Sequence, residues 1–189
     1  MLSVLITVQS EFGVKRPVDD EIILKIANGD MEALHELYEN TSSAVFGFAL
    51  SITKNSYDAE DVLQEIFLKV YEKAGDYVPR GKPMAWIFTI ARNSALDKLR
   101  SRGKSEQYDE AHPEGIDFSL IHQSEERMVL EAMFRILTDE EKQIIMLHAV
   151  SGMKHREIAG IMNLSLNTVL SKYRRAIKKL KLIIEEEQL

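Results

Sequence analysis

Apolar residues recur every three to four positions along this chain. No segment after residue 17 alternates apolar and polar with period two, so the pattern predicts an almost entirely helical protein. A first helix is expected from Asp20 to Ala27, broken at Asn28 and Gly29. Asp30 is placed to cap a longer helix reaching about Thr53, which turns Leu34, Leu37, Tyr38, Val45, Phe48, Ala49 and Ile52 inward. Asn55 and Ser56 end that element. A third helix is expected from about Asp58 to Lys73, burying Ala59, Val62, Ile66, Phe67 and Val70 and stopping at Gly75. Residues 76–83 contain Pro79, Gly81 and Pro83, so helix cannot continue through them. A fourth helix follows from about Met84 to Arg100, with Trp86, Ile87, Ile90, Ala91, Ala95 and Leu99 on its apolar side.

The periodicity lapses between residues 103 and 123, where Gly103, Pro113 and Gly115 mark a linker. Ser124 is placed to cap a further helix through Val129, Leu130, Met133, Phe134 and Leu137. Thr138 and Glu141 then have the spacing of a capping box, ahead of Ile144, Ile145, Leu147 and His148, and Ser151 with Gly152 closes that element. The expected organisation is an N-terminal extension (1–18), a first helical domain (19–102), a linker (103–123) and a second helical domain (124–185).

The last stretch is the most informative. Ile158, Ala159 and Met162 form the inner face of a short helix, and Asn163 falls where a turn needs a residue tolerant of positive φ. Leu164 packs just before Ser165, which caps a second helix. In it Val169, Tyr173, Ala176, Ile177, Leu180 and Ile184 recur as one stripe, while Lys172, Arg175, Lys178, Lys179 and Lys181 lie off it. A helix with an apolar back and a cationic front, entered through a tight turn, fits a DNA major groove. Solvated basic faces are common on their own. The coincidence of Ala159, Asn163, Ser165 and Val169 at the expected offsets favours the helix-turn-helix.

Net charge is −6, which taken alone argues against nonspecific nucleic-acid binding. Its distribution reverses that argument. Residues 81–104 carry Lys82, Arg92, Lys98, Arg100, Arg102 and Lys104 against Asp97 alone, and residues 154–184 carry eight Lys and Arg against Glu157. Between them, residues 105–126 contain acids and no Lys or Arg, so two basic blocks flank an anionic spacer and suggest two contacts with a polyanion. With no cysteine, disulfides and thiolate metal sites are excluded. The histidines (His35, His112, His122, His148, His155) lack metal-ligand spacing. No nucleophile constellation or phosphate-binding glycine loop appears, so no catalytic residue, metal or cofactor is expected. The apolar opening residues lack a basic n-region and a cleavage site, no run approaches a transmembrane length, and a cytoplasmic protein is expected.

Three blocks carry a resemblance: residues 57–67 (YDAEDVLQEIF), residues 86–97 (WIFTIARNSALD), and Glu157-Ile158-Ala159 with Asn167-Thr168-Val169. In this order and spacing, around an acidic linker, the chain resembles the extracytoplasmic-function (ECF) sigma factors over residues 20–184. The resemblance implies an all-α fold of two small helical domains that binds core RNA polymerase and promoter DNA, with an anti-sigma partner that is often membrane-bound and no small-molecule substrate. It assigns polymerase contacts to Asp58, Asp61, Gln64 and Glu65, three to four residues apart on one helical face. It assigns the downstream promoter element to the fourth helix and its loop: Asn93 and Asp97 for the base, and Arg92, Lys98, Arg100, Arg80 and Lys82 for phosphates. The upstream element falls to Ser165, Asn167, Thr168, Ser171, Lys172 and Arg175, with Arg174, Lys178 and Lys179 on phosphates. Trp86 is read as core rather than as a stacking platform, while Phe88 and Tyr77 stay open. Leu170 departs from the family pattern, where a polar residue is frequent. The competing reading is a stand-alone helix-turn-helix regulator of the quorum-sensing type with a helical sensing or dimerising domain, which leaves residues 86–97 unexplained.

Overall fold

The computed structural model describes residues 14–105 and 135–187. Among these it is helical throughout, without a strand element. Helix α1 (Asp20–Ala27) starts where the Asp19 carboxylate accepts the amides of Glu21 and Ile22, and ends at Asn28 and Gly29, the latter at φ 85°. Asp30 caps α2 (Met31–Thr53) by accepting the Ala33 amide at 3.0 Å. Lys54 then adopts the left-handed conformation that stops the helix.

Helix α3 (Ser56–Lys73) begins slightly before the expected Asp58, because the Asn55 side chain accepts the Asp58 amide at 2.9 Å and so acts as the cap itself. A 3-10 turn (Ala74–Asp76) follows. Helix α4 (Pro83–Ser105) starts on its proline, where a missing amide costs nothing. It runs past Arg100 and through Gly103, into the stretch that the sequence assigns to the linker.

These four helices share one core. Phe48 and Phe88 are fully buried and meet edge to face at 5.2 Å, and Tyr38 meets Phe67 at 4.8 Å. Trp86 is half-buried, packed against this core and against Tyr77 at 5.0 Å. Leu99, expected inward, is exposed because the apolar stripe of α4 drifts off the bundle at its C-terminal end.

The second module opens with α5 (Asp139–Ile145), whose capping box is complete: Thr138 accepts the Glu141 amide and Glu141 accepts the Thr138 amide. It widens into a π turn (Met146–Val150), closed by Gly152 at φ 67°. Helices α6 (His155–Met162) and α7 (Leu166–Glu187) form the helix-turn-helix, with Ile158, Ala159, Met162, Val169, Ala176 and Leu180 buried between them and α5. The two modules touch through Lys54 and Asp139 (2.7 Å), Lys82 and Glu157 (3.5 Å), and a Val14 amide donated to the Val150 carbonyl. Most of the N-terminal extension, the linker beyond Ser105, the helix expected from Ser124 up to residue 134 and the side chain of Ile184 lie outside the described residues, while Arg135 and Ile136 are helical and Leu137 is buried.

Candidate nucleic-acid interface

On α3, helical spacing brings Asp58, Asp61, Gln64 and Glu65 to one side, and the structure shows what faces them. Asp58 is mostly covered, held between Lys98 (3.6 Å) and Arg102 (3.0 Å) of α4. Asp61 is exposed and accepts from Lys98 at 2.9 Å, which holds the Lys98 ammonium above its ordinary pKa. Glu65 pairs with Lys69 one turn on, and Gln64 points to solvent. Sequence reading missed the apolar residues on this face. Tyr57, Leu68 and Tyr71 are exposed large hydrophobics that share a three-and-four spacing with Asp61 and Gln64. Such an alternation of three and four is the seam with which one helix meets another. Apolar residues falling outside the buried stripe were the available signal.

The other side of α4 is different. A cleft of about 440 Å³ lies between α3 and α4, bordered by Lys69, Lys73, Arg92, Asn93, Asp97 and Arg100. Arg92 enters it with its Nε buried and without a hydrogen-bond partner. Lys69 donates to the buried Ser94 hydroxyl at 2.9 Å, and Asp97 pairs with Arg100 at 2.9 Å in the open. Arg92, Asn93, Asp97 and Arg100 are thus brought together, with Lys69 and Lys73 added from α3, the helix to which the resemblance assigns polymerase contacts. Lys98 is not among them; it faces α3.

The loop before α4 is anchored by Asp20, which accepts the Gly81 amide at 2.7 Å and the Tyr77 hydroxyl. Burial, then that bond, pushes the Tyr77 hydroxyl up to about 12. Arg80 is exposed, and Lys82 reaches Glu157 of α6.

In α7 the Ser165 hydroxyl accepts the Thr168 amide at 3.1 Å and contacts the Thr168 hydroxyl at 2.8 Å, so both side chains serve the cap. Asn167, Ser171, Arg174, Arg175 and Lys178 project into solvent. Lys172 and Lys179 turn back onto the module, pairing with Glu140 (2.5 Å) and Glu141 (2.6 Å). Although burial works against its charge, Lys179 and the Thr138 cap hold the Glu141 carboxyl below its usual range. Among the described residues no group of three or more His, Asp or Glu is arranged to hold a metal.

Cations gathered on an exposed cleft in one helical module, and a helix-turn-helix with a free polar front in the other, mark a DNA-binding transcription protein. Family models make the class specific: residues 37–105 match Sigma-70 region 2 and residues 127–180 match Sigma-70 region 4. The chain belongs to the sigma-70 family, as an ECF sigma factor. It is 28% identical over 170 residues to the ECF RNA polymerase sigma factor SigK of Mycobacterium sp. (strain KMS), covering 86% of this chain and 88% of that one. Against SigK of Mycobacterium bovis (strain BCG / Pasteur 1173P2) the identity is 26%, over 86% and 91% of the two chains. The fold is shared with CnrH, solved in complex with the cytosolic domain of CnrY (TM-score 0.63, 24% identity, 89% of this chain and 97% of that chain). It is shared too with RpoE of Bartonella quintana, solved with the anti-sigma factor NepR (TM-score 0.61, 24% identity, 85% and 98%). A stand-alone regulator is not favoured, because the region 2 match covers the block that reading left unexplained.

Proposed function

We propose that this sigma factor binds core RNA polymerase through the exposed face of α3, captures the downstream promoter element in the cleft between α3 and α4, and reads the upstream element with α7. The observation that carries this is the ordered pair of family matches, set on a cation-lined cleft and an open reader helix. On α3, Asp58, Asp61, Gln64 and Glu65 supply the polar contacts and the exposed Tyr57, Leu68 and Tyr71 the apolar area. In the cleft, Asn93 and Asp97 offer groups for a base edge, with Arg92, Arg100, Lys69 and Lys73 for phosphates and Arg80 and Lys82 assisting from the loop. On α7, Asn167, Ser171 and Arg175 reach base edges, Ser165 and Thr168 frame the helix start, and Arg174 and Lys178 meet phosphates. Lys172 and Lys179 join that set only on leaving Glu140 and Glu141.

The chain itself performs no catalysis; RNA synthesis belongs to the polymerase, and the site of action is the cytoplasm. No helix among the described residues is long and apolar enough to cross a membrane. Net charge of −6, with Lys98 and Arg102 already paired to α3, leaves little net attraction for DNA until polymerase is present. An anti-sigma factor is the expected negative regulator, as two structural neighbours were solved with such partners or with a cytosolic partner domain. The test is transcription by purified chain plus core polymerase on a randomised promoter library. Enrichment of a two-part element is expected; transcripts no different from those of core enzyme alone refute the reading.

A further inference from the structure

The helix-turn-helix contains an aromatic knot that the promoter-reading function does not use. His148, from the π turn, and His155, the first residue of α6, lie ring on ring at 4.1 Å with planes 33° apart. Tyr173 of the reader helix meets both edge-on, at 4.8 and 4.7 Å. Three segments of the module are therefore joined through three rings. His148 Nδ1 is 2.7 Å from the Met153 carbonyl oxygen, which only accepts, so Nδ1 carries a hydrogen. His155 Nε2 is buried without a hydrogen-bond partner. The two imidazoles stack here, but a positive charge on His155 would leave its buried Nε2 hydrogen with no acceptor.

The surroundings reinforce this. On α6, Lys154 and Arg156 flank His155, and the helix start itself disfavours a cation. Glu157 is engaged by the Lys154 amide and by Lys82. From α5, Glu140 and Glu141 are taken by Lys172 and Lys179 of α7. Arg174, beside Tyr173, is another cation. Burial and then the charge of His148 both push the His155 imidazole below its ordinary pKa.

We propose that the His148–His155 stack, clamped by Tyr173, is a proton-operated latch on the reader helix: protonation parts the rings, loosens α6 and α7, and weakens the grip on duplex DNA as the cytoplasm acidifies. The sign is fixed by linkage. A histidine depressed in the folded state binds its proton more readily when the module opens. Closed-state stability is therefore full above the unfolded value of about 6.5 and falls as pH drops below it, by a factor of about ten in the closing equilibrium for each unit of depression. An ordinary surface histidine near DNA acts oppositely, since acid adds a cation and tightens binding.

The test uses the full chain and needs no promoter. Imidazole nitrogens are followed by NMR from pH 8.5 to 5, with the urea-unfolded chain as reference, together with amide exchange along Ile158–Ala176 corrected for its intrinsic pH dependence. We expect His155 to titrate below its value in the urea-unfolded chain, and reader-helix protection to fall several-fold between pH 7.5 and 5.5 while that of Val62–Val70 holds. His148→Phe with His155→Phe retains stacked rings and should abolish the pH dependence; should that pair fail to fold, His155→Gln alone should shrink it. A His155 titration unmoved from that of the unfolded chain, or unchanged protection across the range, overturns the latch. Because neither measurement involves DNA or polymerase, its failure is distinct from failure of the promoter-recognition reading.

Discussion

Asn163 decides how the reader helix is presented, and its contribution can be worked out from the turn. It sits at φ 54°, ψ 44°, where its amide reaches back to the Gly160 carbonyl and the Leu164 amide reaches the Ala159 carbonyl at 3.0 Å. That pair of bonds is the Schellman arrangement, with half-buried Leu164 closing it against the core. A left-handed conformation costs an ordinary L-residue about 1–2 kcal/mol, and Asn escapes part of this through local hydrogen bonding. Asn163→Ala should then destabilise the module by about 1 kcal/mol, and the β-branched Asn163→Val by about 2 kcal/mol. Asn163→Gly should fall within about 0.5 kcal/mol of the parent, its freedom in the unfolded chain offsetting the relief. In a domain of this size about 1 kcal/mol moves Tm by about 4–8 °C. Thermal unfolding of the three variants, followed by circular dichroism, reads the series directly. The order Gly, Ala, Val is diagnostic: an Ala variant as stable as the Gly variant refutes the left-handed turn, whatever the absolute shifts.

Reversing the charge of both Asp61 and Glu65 to Lys should abolish association with core polymerase while circular dichroism stays unchanged; normal binding in a pull-down removes α3 from the interface. Asn167→Ala should cost about 1–3 kcal/mol at one position of the upstream element, whereas Arg174→Ala should weaken all sequences alike and reduce the salt slope by about one. Replacing Phe88, fully buried against Phe48, by Ala should destabilise the first module by about 3–5 kcal/mol in urea unfolding. Glu141 and Asp139 both hold carboxyls below their usual range, each against its own burial and through Lys179 and Lys54 respectively. Their contribution is full above pH 4.5 and is lost as pH falls through the lowered folded values, which denaturation at pH 5, 4 and 3 resolves.

Local rules account for most of what the sequence made legible. Asp30, Asn163, Ser165 and the Thr138–Glu141 box signal helix ends through hydrogen bonds within four residues, so they need no tertiary context. The apolar stripes of α2 and α3 were legible for the same reason. What escaped depends on neighbours distant in sequence. Asp58 reads as an outward carboxylate until α4 brings Lys98 and Arg102 against it, and Lys69 reads as belonging to the polymerase-facing helix until Ser94 and Arg92 close the cleft beside it. Phe88 and Tyr77, open in the sequence, are settled by burial: one fills the core, and the other ties the loop through Asp20. Lys172 and Lys179 looked equivalent to Arg175 by periodicity alone, yet lie within reach of α5.

Lys98 stands between Asp58 and Asp61 as their internal counter-ion. A foreign cation that settles on Asp61 displaces this ammonium rather than adding to it. Under the proposed docking on α3 the exchange is nearly neutral in charge, and the Lys98 ammonium falls back on Asp58 as its remaining partner.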